Sequence, residues 1–354
     1  MQNQDQTDAI QQRIATAITN KQPLNIIGGN SKSFLGNPTN ADELDVSGHC
    51  GIVTYEPTEL VITARAGTPI SDINNALAEH GQMLAFEPPH FNHKATIGGT
   101  VAAALSGPGR IYLGGVRDHV LGCRIINGKG ESLRFGGEVM KNVAGYDVTR
   151  LMTGAMGTLG VLMDISLKVI PIAETTQTIS MAIDLHEGLQ RLQQLASDSP
   201  LVTASGWYNG TVSIRLAGVT PAVDAAIKQF GGNVTDSHWD ALREHTHDFF
   251  NKSPPLWRLS VPPLTPELDL NGDCLYDWAG TQRWLYSDDD AQKIRAAATQ
   301  YHGHATLYQG DDNLRQQAGT FQPPDTAIMK LHHNLKREFD PHGIFNPSRL
   351  YPDL

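Results

Sequence analysis

Apolar residues at Ile10, Ile14 and Ile18 recur at helical spacing through an otherwise polar, glutamine-rich stretch, so residues 1–21 predict a surface helix. The pattern then shortens. Leu24-Asn25-Ile26-Ile27, set between Pro23 and two glycines, predicts a strand that delivers the backbone to a loop. Strand character continues at Val46 and over residues 52–55 and 60–64. Thr68-Pro69 then opens a helix on which Ile70, Ile73 and Leu77 share a face, with Gly81 suited to its stop. Residues 120–126 and 132–135 flank Asn127-Gly128-Lys129-Gly130, the signature of a tight hairpin. Residues 146–153 predict a helix, and 161–170 a strand that stops before Pro171, where a domain boundary is expected.

Beyond Pro171, strand, helix, strand and helix are expected at 176–183, 188–196, 204–216 and 221–230, a βαβ-like order that suits a smaller α+β domain. Further strands are expected at 256–261, 280–286 and 305–308. An amphipathic helix over 326–339 precedes Asp340-Pro341-His342-Gly343-Ile344-Phe345-Asn346-Pro347. No internal repeat or low-complexity tract is visible.

Composition changes this picture mainly by exclusion. At 354 residues the chain has length for two cores. A net charge of -10 with no basic block argues against a nucleic-acid partner. Cys50, Cys123 and Cys274 are isolated and odd in number, which supports neither a disulfide framework nor an iron-sulfur or other metal site. A reducing, cytoplasmic compartment is expected. The N-terminus lacks the apolar core of a signal peptide, and no run approaches the ~20 apolar residues that span a bilayer, so peripheral association with the inner membrane would come through partner subunits.

The chemistry concentrates in glycine-rich segments: Gly28-Gly29-Asn30-Ser31-Lys32, Thr96-Ile97-Gly98-Gly99, Lys141 to Asp147, and Gly157-Thr158-Leu159-Gly160-Val161. Glycine backbones take positive φ and approach ligands closely, and successive amides in such turns form anion-binding concavities. Several such loops, each following strand character, describe a cradle for a large phosphate-bearing cofactor.

At these residues the chain resembles the vanillyl-alcohol oxidase or PCMH-type FAD-binding family. The resemblance is carried by T-I-G-G-T-V-A from Thr96, G-G-V-R-D-H-V-L-G from Gly114, K-N-V-A-G-Y-D from Lys141, G-T-L-G-V-L from Gly157 and D-P-H-G-I-F-N-P from Asp340. Within that family, F-G-G-E-V-M-K-N-V-A-G-Y-D, L-W-R-L-S and D-W-A-G-T-Q-R-W-L resemble the FAD-binding subunits of bacterial glycolate oxidases. The resemblance implies an α+β fold: a PCMH-type FAD-binding domain of two α+β subdomains over 1–172, and a C-terminal α+β FAD-linked oxidase-type domain over 173–354. The flavin would lie between the two domains, with 340–350 returning to it. By position, Gly28, Gly29, Asn30, Ser31 and Lys32 would hold the pyrophosphate, and Thr96, Gly98 and Gly99 its second side. Gly157, Gly160 and Val161 would lie near the adenosine part, and Asn346 would approach the flavin ring. Many relatives attach the flavin through a histidine in the first glycine loop. Asn30-Ser31 stands there in this chain, so the FAD is expected to be non-covalent.

Oxidation of a 2-hydroxy acid at a flavin needs a cation for the carboxylate and a base for the hydroxyl proton. Arg258 and Arg283 are the candidates for the carboxylate, since the guanidinium fork binds two oxygens at once, and each is alternatively a salt-bridge arginine. Related catalytic subunits carry a His-x-Gly-Asp-Gly-Asn-x-His segment. Here His302-Gly303-His304 and Gly310-Asp311-Asp312-Asn313 are separated and the motif is not intact, which leaves His304 as a residual base or an ordinary strand residue. Lys141 and Tyr146 are placed near the flavin ring, Tyr146 alternatively packing at the edge of the core, and Arg110 and Arg117 near cofactor phosphates or in salt bridges. The expected partners are a second FAD-binding catalytic subunit, an iron-sulfur subunit and a small 2-hydroxy acid such as glycolate. An accessory FAD-binding subunit without its own turnover, and a free-standing FAD oxidoreductase for another 2-hydroxy acid, are the alternatives.

Overall fold

Alternating burial in the strands and two separate sets of buried side chains sort the chain into two units, seen in a computed structural model that describes residues 3–137, 147–253 and 255–354. The first unit comprises Met1–Leu105, Gly115–Pro171 and Pro323–Leu354, and the second Ser106–Gly114 and Ile172–Gln322. The C-terminal segment therefore groups with the first unit from Pro323 onward, well before the return at 340–350 expected from the sequence. The reason is burial: the helix Thr326–Phe339 places Lys336, Leu335 and Phe339 against first-unit residues.

In the first unit, helix Thr7–Asn20 buries Ile10, Ile14 and Ala17, and Ile18 packs at the edge of the same core. Strand β1 (Leu24–Ile27) runs parallel to β2 (Asp42–Asp45). Strands β3 (Ile52–Glu56), β4 (Val61–Arg65), β6 (Val120–Ile126), β7 (Ser132–Gly136) and β8 (Val161–Lys168) form an antiparallel sheet in the order β3-β4-β8-β6-β7. The short strands β5 (Gln82–Met83) and β9 (Ile170–Pro171) pair separately. The β6–β7 hairpin closes as its sequence predicts, Asn127 Oδ1 accepting the amides of Lys129 and Glu131. Helix Ile70–Ala78 buries Ile70, Ile73 and Leu77 completely. At about 1.5–3 kcal/mol per buried aliphatic side chain, that stripe alone fixes the helix on the sheet. Strand β8 is buried on both sides, with Val161 and Met163 in one core and Leu162, Ile165 and Leu167 in the other. Of the Lys141–Asp147 segment only Asp147 is among the described residues; it caps helix Val148–Met152 by accepting the Arg150 amide. Lys141 and Tyr146 lie outside them.

The second unit is built on one eight-stranded antiparallel sheet. Its strands are β10 (Thr175–Ala182), β11 (Val202–Tyr208), β12 (Thr211–Gly218), β13 (Asn233–Thr235), β14 (Leu256–Ser260), β15 (Asp273–Asp277), β16 (Gln282–Tyr286) and β17 (His304–Gln309). Their order is β13-β10-β12-β11-β15-β16-β14-β17. Numbered within each half, this reads 4-1-3-2 followed by 2-3-1-4, two split-βαβ sheets joined edge to edge through a single residue pair, Trp207 and Tyr276. Both β10 and β11 run antiparallel to β12, so the βαβ order expected from the sequence is a crossover with one strand between. The stretch 204–216 is two strands, turned at Asn209 and Gly210, both at positive φ.

One face of this sheet is covered by helices. Helices Leu185–Asp198 and Thr220–Phe230 pack on the first half around Leu192, Ile214 and Val223, and helix Ala291–Thr299 on the second around Leu259, Leu285 and Leu307. The other face carries helix Trp239–Glu244 and an aromatic cluster in which His245 stacks on Phe250 at 4.4 Å and meets Trp284 and Tyr308 edge-on. No helix among the described residues is long and apolar enough to cross a membrane.

Candidate functional site

In the first unit, β1 leads directly into the Gly28–Lys32 loop, where Asn30 takes φ +51, a left-handed conformation that asparagine tolerates. The loop forms one wall of an open cavity, opposite Thr96, Gly99, Met156 and Asn346. A second cavity shares Gly28, Gly99 and Asn346 and adds Gly98, Gly157 and Gly160.

The glycines here do two different jobs. A Cβ on Gly28 would stand 2.5 Å from Thr96 Oγ1, and one on Gly29 only 1.6 Å from the Lys94 carbonyl oxygen, so Gly28 makes room for the Thr96 side chain and Gly29 for the Lys94 backbone. Gly98 similarly lies against Ala66, whose Cβ would be 2.7 Å away. Gly99 is different: a Cβ there would meet nothing closer than Thr96 Oγ1 at 3.4 Å and would project into the open cavity. Space is thus kept beside helix Ile97–Ala103, whose cap is Thr96, with Oγ1 accepting the Gly99 amide at 3.4 Å. Ser31 and the largely buried Lys32, its Nζ 3.3 Å from Ser31 Oγ, add a hydroxyl and a cation to the wall. A slot with a glycine floor and cationic side chains in its lining, Lys32 and Arg349, suits the pyrophosphate-bearing body of FAD.

Asn346 closes this slot from the C-terminal segment. Its Oδ1 accepts the Ile26 amide at 2.7 Å, and its Nδ2 donates to the Met156 carbonyl at 2.6 Å. The side chain faces both cavities with its amide engaged by protein, so what it offers a cofactor is position. Val161 departs from the sequence expectation: its side chain is fully buried in the core beside Ile126 and Phe345 and lines neither cavity. Arg349, which the sequence did not single out, lines the first cavity and donates to the carbonyls of Asn37 and Ser33.

The second unit separates the two candidate arginines. Arg258 on β14 pairs with Trp284 on β16, and Leu259 with Arg283, so Arg258 and Arg283 point to opposite faces of the sheet. Arg283 is on the helix-covered face, 2% exposed, and donates to the carbonyls of Gly280, Pro266 and Thr265. Burial lowers its pKa, and its donors are spent on holding a loop, which corrects its reading as a carboxylate ligand. Arg258 lies on the other face, its guanidinium 5.7 Å from the Tyr308 ring centroid. Among the described residues no carboxylate or hydrogen-bond acceptor engages it. Burial lowers its pKa, and Tyr308 counteracts this in part.

His304 opens β17 opposite Ser260, two residues from Thr306, the cross-strand partner of Arg258, and therefore on the Arg258 face. No hydrogen bond among the described residues orients it as a base, and the nearby Arg258 charge adds to burial in lowering its pKa. Arg110 belongs to the second unit, where it stacks over Trp278 at 4.6 Å, and Arg117 is exposed; neither lines the cradle. The same sheet face holds a cavity at the seam of the two half-sheets, walled by Tyr208, Leu242, Leu275, His238 and His247. Burial, with His247 nearby, brings the His238 pKa down to about 4, so that ring is neutral. Among the described residues no group of three His, Cys, Asp or Glu side chains converges as a metal site.

Comparison with known proteins agrees with the cradle. Residues 4–136 match the family model described as an FAD binding domain. Over 351 residues, 99% of either chain, the sequence is 44% identical to glycolate oxidase subunit GlcE of Escherichia coli K12. It is 32% identical over 148 residues to glycolate oxidase subunit GlcD of Bacillus subtilis, covering 42% of this chain and 30% of that protein. A solved structure of alkyldihydroxyacetonephosphate synthase superposes with a TM-score of 0.66 at 12% identity, covering 96% of this chain and 75% of the other, a likeness of fold alone.

Proposed function

The chain belongs to the GlcE family of FAD-binding glycolate oxidase subunits, with a PCMH-type fold, and we propose that it serves such a complex as a flavin-bearing electron-transfer subunit without glycolate turnover of its own. In this reading the amides of Gly28–Lys32 and Thr96–Gly99 hold the pyrophosphate, Lys32 offsets its charge, and Gly157, Gly160 and Asn346 shape the remainder of the slot. The absence of a histidine from the first glycine loop makes the attachment non-covalent. FAD supplies the capacity to accept and pass on electrons. A second FAD-binding subunit oxidises glycolate, and an iron-sulfur subunit receives the electrons, since the three cysteines of this chain are isolated from one another in sequence. Any contact with the inner membrane runs through those partners.

The observation that carries this reading is that the candidate hydroxy-acid residues form no complete set, the two arginines lying on opposite faces of one sheet. Arg283 is consumed on the covered face of the sheet, and no hydrogen bond among the described residues orients His304. Arg258, on the opposite face and engaged by no carboxylate or hydrogen-bond acceptor among the described residues, favours a second reading in which the chain itself binds and oxidises the hydroxy acid.

Anaerobic mixing of the FAD-loaded chain with glycolate, followed at the oxidised-flavin band near ~450 nm, separates the two. Unchanged absorbance, with bleaching only after the partner subunits are added, is expected. Bleaching of the isolated chain would overturn the proposal and establish the second reading.

A further inference from the structure

The cofactor cradle is assembled from three stretches of the first unit, around Gly28, Thr96 and Met156, that no strand ladder ties to one another. The C-terminal segment ties two of them. Asn346 bridges the Ile26 amide to the Met156 carbonyl; backbone bonds of Leu24 to Ile344 and Asn346 seat its segment beside β1, and a side-chain pin ties the same segment to the opposite wall. The pin is Lys336. Its Nζ donates to the Thr158 carbonyl at 2.8 Å, the Phe345 carbonyl at 2.7 Å and Asp340 Oδ2 at 2.8 Å, using all three of its protons. The Asp340 carboxylate in turn accepts the amides of Ile344 at 3.1 Å and Phe345 at 2.8 Å. A buried ammonium thus joins the Gly157–Gly160 turn, through Thr158, to the residue immediately before Asn346.

We propose that Lys336 is a positioning residue for FAD: it sets the spacing between the β1 loop and the Met156–Gly160 turn by holding Asn346 between them. It lies 200 residues beyond the end of the matched FAD-binding region at residue 136, and its effect on the cofactor is entirely indirect. Coupling between two sites is reciprocal. If the pin improves the cradle for FAD, then FAD must tighten the pin.

Two measurements test this. In the first, Lys336→Met is compared with the double variant Lys336→Met/Asp340→Asn, which avoids leaving a buried carboxylate unpaired. For the double variant, the expected result is an apo-chain melting temperature close to wild type with an FAD dissociation constant raised about tenfold or more. A folded double variant that binds FAD within about threefold of wild type would overturn the proposal. The second needs no variant: in the wild-type chain, FAD is expected to slow amide exchange at Ile344, Phe345 and Asn346 about tenfold. Unchanged exchange at those amides with FAD bound would likewise overturn it.

Discussion

Replacing Gly28 by alanine sets a methyl group 2.5 Å from Thr96 Oγ1, with Thr96 Cβ and Cγ2 both at 3.6 Å. Comfortable contact for such a pair is roughly 3.4 Å, so about 0.9 Å of overlap falls on one hydroxyl. That hydroxyl also caps helix Ile97–Ala103 by accepting the Gly99 amide. Relief requires either that the cap bond is given up, costing about 0.5–2 kcal/mol, or that β1 and the helix part, costing about 1–3 kcal/mol. Taking about 3 kcal/mol as the joint effect, FAD should bind roughly 100-fold more weakly. Thr96→Ala alone loses only the cap, about 1 kcal/mol, or roughly fivefold. In Gly28→Ala/Thr96→Ala the offending oxygen is gone and the remaining Cβ is at ordinary contact distance. The double variant should therefore resemble Thr96→Ala, with a coupling of about −3 kcal/mol between the sites. FAD titrations of the four apo chains by fluorescence, with circular dichroism confirming the fold, measure the cycle. Additive losses, leaving the double variant weaker than either single one, would refute the contact as the cause.

Asp164 gives a pH prediction. Its burial raises the pKa, but hydrogen bonds from His49 and Arg124, with the charges behind them, outweigh this and hold it at about 2 against an ordinary 3.8. A carboxyl depressed on folding contributes stability that is complete above pH 3.8 and lost as pH falls toward 2, here about 2 kcal/mol. Urea unfolding between pH 4 and 2 should show that loss in the wild type and a flatter profile in Asp164→Asn; parallel profiles would contradict it. Arg258→Met should leave the melting temperature of the apo chain unchanged or raise it, because it removes a partly buried charge that no described carboxylate or hydrogen-bond acceptor engages. A fall of more than about 5 °C would show that the arginine is part of the fold.

Much of the first unit was legible because local signals and tertiary burial agree there. The Ile70, Ile73 and Leu77 stripe, the Asn127–Gly130 turn and the strand before Gly28 each need only a few neighbouring residues to be specified. The cradle was legible for the same reason, since a glycine loop announces itself in sequence. The second unit was harder. Asn209-Gly210 is a strong hairpin signal, yet Trp207-Tyr208 and Thr211-Val212 carry strand character on both sides and mask it. Strand β15 escaped because Asp273 and Asp277 at its ends read as turn residues. The duplicated sheet left no sequence repeat, because the second half replaces the first crossover helix with the loop that Arg283 holds. Lys336 did leave a trace, a lysine on the buried stripe of the last helix, but only its three acceptors, two from other parts of the chain, explain it.

The separation of the two arginines shows how much a single register decides. Side chains alternate along a strand, and paired residues on adjacent strands share a face. With Arg258 opposite Trp284, the neighbour Arg283 is on the far side whatever rotamer either adopts. Slipping β16 by one residue would bring the guanidinium groups together on one face, where they could clamp a carboxylate jointly, but it would also turn Leu285 out of the core it shares with Trp257, Leu259 and Leu307. Burial of that leucine, about 1.5–3 kcal/mol, together with the backbone carbonyls that Arg283 satisfies, opposes the slip. The same packing that stabilises the sheet therefore prevents a two-arginine site, and leaves Arg258 as the single guanidinium of the pair through which this unit could meet an anion.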